Sequence, residues 1–473
     1  MPLKESRVRL LFRILSGILL LMVPSCAVDK GPDKLESDIA RYKRELRVLP
    51  DDTEARYRLG VSHYQKRDYE ASIEELKDTI GSDPNLPMVY NNLGLAYVGE
   101  GELGKAITAY LKALQLDRDF TPARANLGVA YYLAGMFEEA GSHFKKLLKK
   151  DPNHVGAHQG LGLSLVRRGR LDEAIAEFRK VLELDPSNPD AHKHLAMAYE
   201  ERGDIGEAIA VFREALRLNP HDGETHWHLA NIYYEQGYLE GALREYTHVV
   251  DIKPDFTDAH FWRAMVLKEM ESFLEASAVF EHVAELDADY PDVYYQLGSI
   301  YQERGMVDDA ISEYERELKN HPDNVKVHRK LGELYLNKGE HEDALHHYVR
   351  IVEIDPTNAQ ALYELGDAYA RTGRFALALA QWRRAAEIEP AMAIKVWKRA
   401  LELDPSMVEA HYRLGLAYMN EGKVAVAINS LEAAVNARPK NVAFRQALSR
   451  AYKEREKVLE KEGRERMEEE WWP

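Results

Sequence analysis

Cysteine is all but missing from this chain, and the single one, Cys26, excludes an internal disulfide framework and any zinc site built from cysteine pairs. No Gly/Ser-rich or Pro-rich linker interrupts the 473 residues, and 45% hydrophobic with 30% charged residues is the composition of a folded chain. Basic residues are in deficit: 63 Lys and Arg stand against 79 Asp and Glu, a formal charge of −16. Nucleic acid is bound largely by cationic neutralisation of its phosphates, so this polyanion is expected to bind none and to suit a basic partner instead. The apolar run at residues 14–23 (ILSGILLLMV) has ten residues. That falls far short of the ~20 that span a bilayer as a helix, and it has the length of a signal-peptide core.

What the chain does have is a period. Leu followed by Gly or Ala recurs at Leu59-Gly60, Leu93-Gly94, Leu127-Gly128, Leu161-Gly162, Leu195-Ala196 and Leu229-Ala230, then at Leu297-Gly298, Leu331-Gly332 and Leu365-Gly366. The step is 34 residues, and Arg263-Ala264 fills the missing place in phase. Twelve residues after each small residue comes Ala, from Ala106 to Ala378, and four further on an aromatic: Tyr110, Phe144, Phe178, Phe212, Tyr246, Phe280, Tyr314, Tyr348 and Trp382. Apolar spacings of three and four inside each half predict helix. Glycines such as Gly101, Gly203 and Gly339 are placed to end the first helix in a left-handed cap, and prolines such as Pro152, Pro220 and Pro356 to stop the second. Each unit then reads as an antiparallel helix pair, with the small residue of the first helix expected to face the Ala of the second and the aromatic expected to fill the gap to the next pair. Such a pair cannot bury both of its faces alone, so stability must come from stacking neighbours.

This pattern resembles the tetratricopeptide repeat over nearly the whole chain. The resemblance implies an all-α fold, a right-handed superhelical solenoid whose first helices line a concave groove that binds protein or peptide. The expected layout is a signal peptide at 1–25, an N-terminal segment with a capping helix at 26–52, ten repeats at 53–390, a further repeat at 406–441 and a capping helix with a charged tail at 442–473. Between the repeats, residues 391–405 (AMAIKVWKRALELDP) align without a gap on 376–390 (ALALAQWRRAAEIEP), which reads as a duplicated second helix.

In the family the first helix turns its second, fifth, sixth, ninth, twelfth and thirteenth residues to the groove. Carried onto this chain, that register selects Trp227, Asn231, Tyr234, Glu235, Phe261, Trp262, Glu269, Tyr295 and Gln296 as candidate partner contacts, aromatic and acidic together. Such a wall fits an extended ligand with Lys or Arg and apolar anchors. Asn91, Asn92 and Asn126 on the same face resemble the asparagines by which some family members hold a peptide backbone. A histidine column, His158, His192, His226 and His260, with His328 and His411 in the same place later, invites a metal. Equivalent residues on successive first helices stand too far apart to share one ion, so the column is read as packing and no metal is expected. No phosphate loop, dinucleotide fingerprint, serine elbow or zinc-protease motif is present. With the repeats subtracted, no segment is long enough for a catalytic domain, so neither enzymatic activity nor a cofactor is expected.

The N-terminus supplies an address. After basic residues 1–13 and the apolar run, Val23-Pro24-Ser25-Cys26 resembles a bacterial lipobox, in which the cysteine is acylated after cleavage. Loss of residues 1–25, with four bases against one acid, takes the charge from −16 to −19. Ala27, where Asp would signal retention at the inner membrane, implies the outer membrane by the same resemblance. The expectation is therefore a lipid-anchored, periplasm-facing scaffold for a pilus, secretion or polysaccharide-export assembly. A chaperone-like receptor for a basic client, or a non-catalytic arm for an enzyme in another chain, are the alternatives.

Overall fold

The computed structural model describes residues 32–471, with side chains from 33 to 460. The leader expected at 1–25 and the lipobox-like segment with Cys26 lie outside the described residues. Among the described residues there are 25 α-helices, one short 3₁₀ turn and no strand, an all-α solenoid of helix pairs. The chain divides into two compact units, Met1–Ala259 and His260–Pro473.

The first unit opens with the helix Pro32–Val48, whose Tyr42 packs with Ala55 and Leu59 and so closes that end of the core. Six helix pairs follow, from Thr53–Gln65 with Tyr69–Ser82 to Gly223–Glu235 with Leu239–Ile252. In the second unit, Phe273–Leu286 is followed by the pairs Val293–Glu303 with Val307–Asn320, Val325–Lys338 with His341–Ile354, and Ala359–Arg371 with Phe375–Ile388. A turn at Pro390–Met392, the helix Ala393–Leu403, the pair Val408–Asn420 with Val424–Ala437 and the long helix Val442–Trp471 complete it.

The columns explain the packing, with one correction. Where the small residue is glycine, a Cβ there would first meet the aromatic of its own pair rather than the side chain of the Ala column, with Leu76 and Leu431 taking the ring's place opposite Gly60 and Gly415. A Cβ on Gly94 would stand 2.5 Å from Tyr110 Cε1, and one on Gly298 2.7 Å from Tyr314. The ring is the widest object between the two helices, so the space cleared by a missing side chain goes to it. Phe144 is held from two sides, since a Cβ would come within 2.7 Å of its ring from Gly128 and 2.5 Å from Gly160 of the next pair. The ring thereby also bridges successive pairs. First helices end as expected in the left-handed region, for example at Gly203 with φ +93°. Arg67 (φ +63°) and Glu271 (φ +59°) hold the same place in their repeats without being glycine.

The histidine column has a specific job. The Nε2–H of His158 donates to the carbonyl oxygen of Pro152 at 2.9 Å, and His192, His226, His328 and His411 repeat the bond to Pro186, Pro220, Pro322 and Pro405 at 2.9–3.1 Å. Arg56 reaches the carbonyl of Pro50 in the same way. Each thus ties the first turn of a repeat to the loop that closed the previous one. On the other ring nitrogen, His158 meets Glu177 at 2.6 Å and His226 meets Glu245 at 2.7 Å, whereas His328 Nδ1 meets His347 Nδ1 at 2.9 Å. Burial opposes charge on His226, but Glu245 outweighs it and holds the imidazole above its ordinary value. With no carboxylate to help, burial and His328 push His347 down to about 4.

The helix Ala393–Leu403 differs from a simple copy of its predecessor. Val396, Trp397 and Ala400 are buried in one core with Trp382 and Leu414. Its Lys395 ammonium lies 4.0 Å over the Tyr363 ring and Arg399 Nε is 3.1 Å from the Asp367 carboxylate. Tyr363 and Asp367 belong to the first helix of the preceding pair. Residues 393–403 stand 34 places after that helix's opening, so toward the earlier pair they serve as a following first helix, while their own sequence repeats a second helix.

Candidate functional site

Groove-facing positions fall in both units. In the first, Asn126 Nδ2 donates to Asn91 Oδ1 at 2.9 Å, and both side chains are buried. Asn92 donates to the Tyr57 hydroxyl at 2.7 Å. The asparagines therefore join successive first helices across 35 residues, and the same step recurs where Gln159 meets His194 Nδ1 at 3.4 Å. Trp227 is half-buried, packed at 5.5 Å on Tyr246 and 5.1 Å on Phe256, and Asn231 accepts from the Tyr246 hydroxyl at 2.6 Å. Tyr234 is half-buried and Glu235 exposed.

Between Asn126 and Trp227 the sequence reading passed over a charged cluster. Lys193 stands at a groove-facing position of the helix Pro189–Arg202, with its ammonium 3.0 Å from Glu224, 3.4 Å from Asp222 and 3.4 Å from Asp190. Burial works against its charge, but the three carboxylates outweigh burial and hold the ammonium well above the usual lysine range. Asp222 is half-buried, which opposes its charge, yet Lys193 and the Thr225 hydroxyl hold its carboxyl below the usual range. Two neighbouring histidines are driven apart. Burial, then Lys193, pushes His194 down to about 4, which leaves a neutral ring able to accept from Gln159. Burial opposes charge on His228 too, but Glu200 at 2.9 Å prevails and raises it. Asp190, Glu200 and Glu224, carboxylates of these first helices, are thus already engaged by this chain's own cations.

In the second unit, Phe261 is buried against Phe280 at 5.5 Å and Tyr290 at 5.0 Å, so it belongs to the core. Trp262 stands edge-on to it at 5.8 Å and is half-buried; Tyr295 is half-buried on Tyr314 at 5.7 Å, and Glu269 is exposed. Lys268 donates to Gln296 at 2.8 Å and to the Ser299 hydroxyl, and burial lowers its pKa. Among the described residues no cluster of three or more His, Cys, Asp or Glu side chains could hold a metal ion, and no helix is long and apolar enough to cross a membrane.

Family models agree with this architecture. The C-terminal domain of cilia and flagella-associated protein 70, a tetratricopeptide domain, matches residues 32–265. Tetratricopeptide-repeat models match 291–334, 332–373, 359–392, 391–422 and 408–441. Anaphase-promoting complex subunit 3 of Dictyostelium discoideum is 29% identical over 87 residues, 18% of this chain and only 9% of that protein. A tetratricopeptide protein of Parabacteroides merdae is 20% identical with a TM-score of 0.42, covering 52% of this chain and 98% of its own. YrrB, a tetratricopeptide protein with an unusual peptide-binding site, is 24% identical with a TM-score of 0.33, covering 39% and 95%. The periodic columns, the helix pairs they build, the tetratricopeptide domain model matched over 32–265 and the repeat models matched within 291–441 place this chain in the tetratricopeptide-repeat family, whose members serve as scaffolds for protein–protein interaction.

Proposed function

We propose that the chain is a lipid-anchored scaffold of the bacterial envelope that binds an extended, basic protein segment at groove-facing aromatic and acidic positions. Trp227, Tyr234 and Glu235 would serve in the first unit and Trp262, Glu269, Tyr295 and Gln296 in the second, each set within its own unit. The observation that carries the reading is the partial exposure of large aromatics, Trp227, Tyr234, Trp262 and Tyr295, with the exposed carboxylates of Glu235 and Glu269 on the same run of first helices. Half-exposed Trp and Tyr give much contact area at low entropic cost, and neighbouring carboxylates supply a counter-charge for Lys or Arg. The Lys193 cluster supports the class of ligand, because it shows what this groove does with an ammonium group: it surrounds it with carboxylates. The address rests on the lipobox-like Val23–Cys26 segment, with the outer membrane favoured by Ala27.

Crosslinking in intact cells followed by recovery of the chain tests both parts. Cys26→Ser should release the protein from the membrane fraction. Glu235→Lys and Glu269→Lys alter exposed side chains and should each lower partner recovery at least tenfold without changing helicity. A wild-type chain found wholly in the soluble fraction removes the anchor, and undiminished recovery by both charge reversals removes the groove.

A further inference from the structure

Five residues before the closing-proline position of each repeat, the second helix carries a side chain that faces the core. Ala113, Leu147, Val181, Ala215, Val249, Val283, Ile351 and Ala385 hold this place and are all buried. Glu317 is the exception: a carboxylate with 1% of its surface exposed, in a column that is otherwise apolar from Ala113 onward. One of its oxygens, Oε1, has His321 Nδ1 at 3.0 Å, out of line for a hydrogen bond, and accepts weakly from Asn324 at 3.4 Å. The other, Oε2, has no hydrogen-bond partner. A buried carboxylate half satisfied in this way is costly, and Val at the same place in three other repeats shows that the fold does not require it.

Glu317 lines a cleft of 460 Å³ together with Pro291, Asp292, Asn320, His321, Pro322, Asp323 and Asn324. Asp323 is already paired with Arg350 at 2.7 Å, and Asn320 donates to the carbonyl of Ala288. Asp292 is different. It precedes the helix Val293–Glu303 but does not cap it, and its carboxylate makes no hydrogen bond or ion pair among the described residues. Burial raises the Glu317 pKa, and the nearby Asp292 carboxylate adds to the rise against the opposing pull of His321. Two carboxylates near enough to repel each other, with no lysine or arginine between them, face the same opening.

We infer that this cleft is a second recognition site, distinct from the groove, which takes one cationic side chain of a partner protein between the carboxylates of Glu317 and Asp292. A guanidinium or ammonium group there would bond Glu317 Oε2 and balance Asp292 in one step, and the half-buried setting would strengthen each contact relative to water. The occupant is an organic cation rather than a metal ion, because among the described residues no cluster of three or more His, Cys, Asp or Glu side chains could hold one, and two carboxylates alone are too few for a metal shell. The inference rests on the reading that the chain binds protein, but on no groove residue.

The test uses the purified full-length chain and a small probe, Nα-acetyl-L-arginine amide, followed by saturation-transfer NMR, with the uncharged norleucine analogue as control. Wild type should bind the arginine probe saturably in the millimolar range and ignore the control. Glu317→Val should weaken the probe at least tenfold while melting no lower than wild type, because it restores the side chain found in neighbouring repeats. Asp292→Asn, which keeps a residue tolerant of the left-handed backbone at φ +63°, should weaken it several-fold. Equal binding by wild type and Glu317→Val, or no saturable binding by wild type, overturns the inference. Glu235→Lys and Glu269→Lys should leave probe binding unchanged, which separates failure of this site from failure of the groove.

Discussion

Replacing Lys193 with Met tests whether the groove of the first unit is held together by its own counter-ion. The lysine side chain is 11% exposed, and its partners Glu224 and Asp222 are 13% and 22% exposed. Methionine keeps most of the packing of the aliphatic stem, so the perturbation is chiefly the loss of one charge among three carboxylates. Breaking a buried pair by removing one partner costs about 3–5 kcal/mol, and partial exposure here brings the expectation to about 2–3 kcal/mol at pH 7. The cost must vanish in acid. Lys193 helps hold the Asp222 pKa below its ordinary value, so that contribution is present above the unfolded aspartate pKa and is lost as pH falls through the depressed folded one. A repeat array unfolds region by region, so the assay is amide hydrogen exchange of the helices Pro189–Arg202 and Gly223–Glu235, compared at pH 7 and pH 3. Protection in Lys193→Met within about 0.5 kcal/mol of wild type at pH 7, or an equal loss at both pH values, would refute the reasoning.

Three further perturbations follow from the same packing. Glu271→Gly relieves a left-handed residue at a place where other repeats carry glycine, and should raise the unfolding midpoint by the equivalent of about 0.5–1 kcal/mol; a lower midpoint contradicts it. Gly160→Ala and Gly81→Ala should act with opposite sign. The first meets the Phe144 ring, which Gly128 blocks from retreating, and should cost about 1–3 kcal/mol. The second meets nothing within 4 Å and should gain up to about 1 kcal/mol, as thermal melts of the two variants will show. His194, held down to about 4, is neutral when folded, so the unfolded chain takes up its proton first as pH falls. The stability it contributes is complete above about 6.5 and is lost progressively toward 4, by about 3 kcal/mol in order of magnitude. His194→Gln should flatten that part of the pH profile of local stability, and an unchanged slope would count against the buried neutral ring.

The fold was legible in the sequence because a repeat multiplies its own signal: a column of Leu-Gly, Ala and aromatic residues at a fixed period leaves little freedom in where the helices lie. The partner of each small residue was not. Gly94 and Ala106 share a helix pair, but the ring of Tyr110 is larger and takes the space, a matter of side-chain volume that spacing alone does not rank. The histidine column was visible and its bond was not, because the acceptor is the carbonyl of a proline six residues earlier. The candidate groove residues lie on the first helices, and their engagement depends on contacts between successive first helices. Lys193 with Glu224, 31 residues apart, and Asn91 with Asn126, 35 apart, could have been found by reading each groove position against those offsets. Glu317 needed less: it is the one charged member of its column.

Charge in this chain therefore has two fates, and the distinction bears on what a partner can meet. Along the first helices of the first unit, Asp190, Asp222, Glu224 and Glu200 are matched by Lys193 and His228, and a ligand cation would have to displace an ammonium that is already desolvated and held by three carboxylates. Displacement would expose one charge to gain another, with little net return. The carboxylates left for recognition are those without such an occupant: exposed Glu235 near the end of its helix, and Glu317 with Asp292 at the cleft. A formal charge of −16 overstates the field available to a partner, because part of it is spent holding neighbouring repeats in register. For the basic segment proposed above, recognition within each unit would then fall to the few unmatched carboxylates beside partly exposed aromatic rings rather than to the total charge.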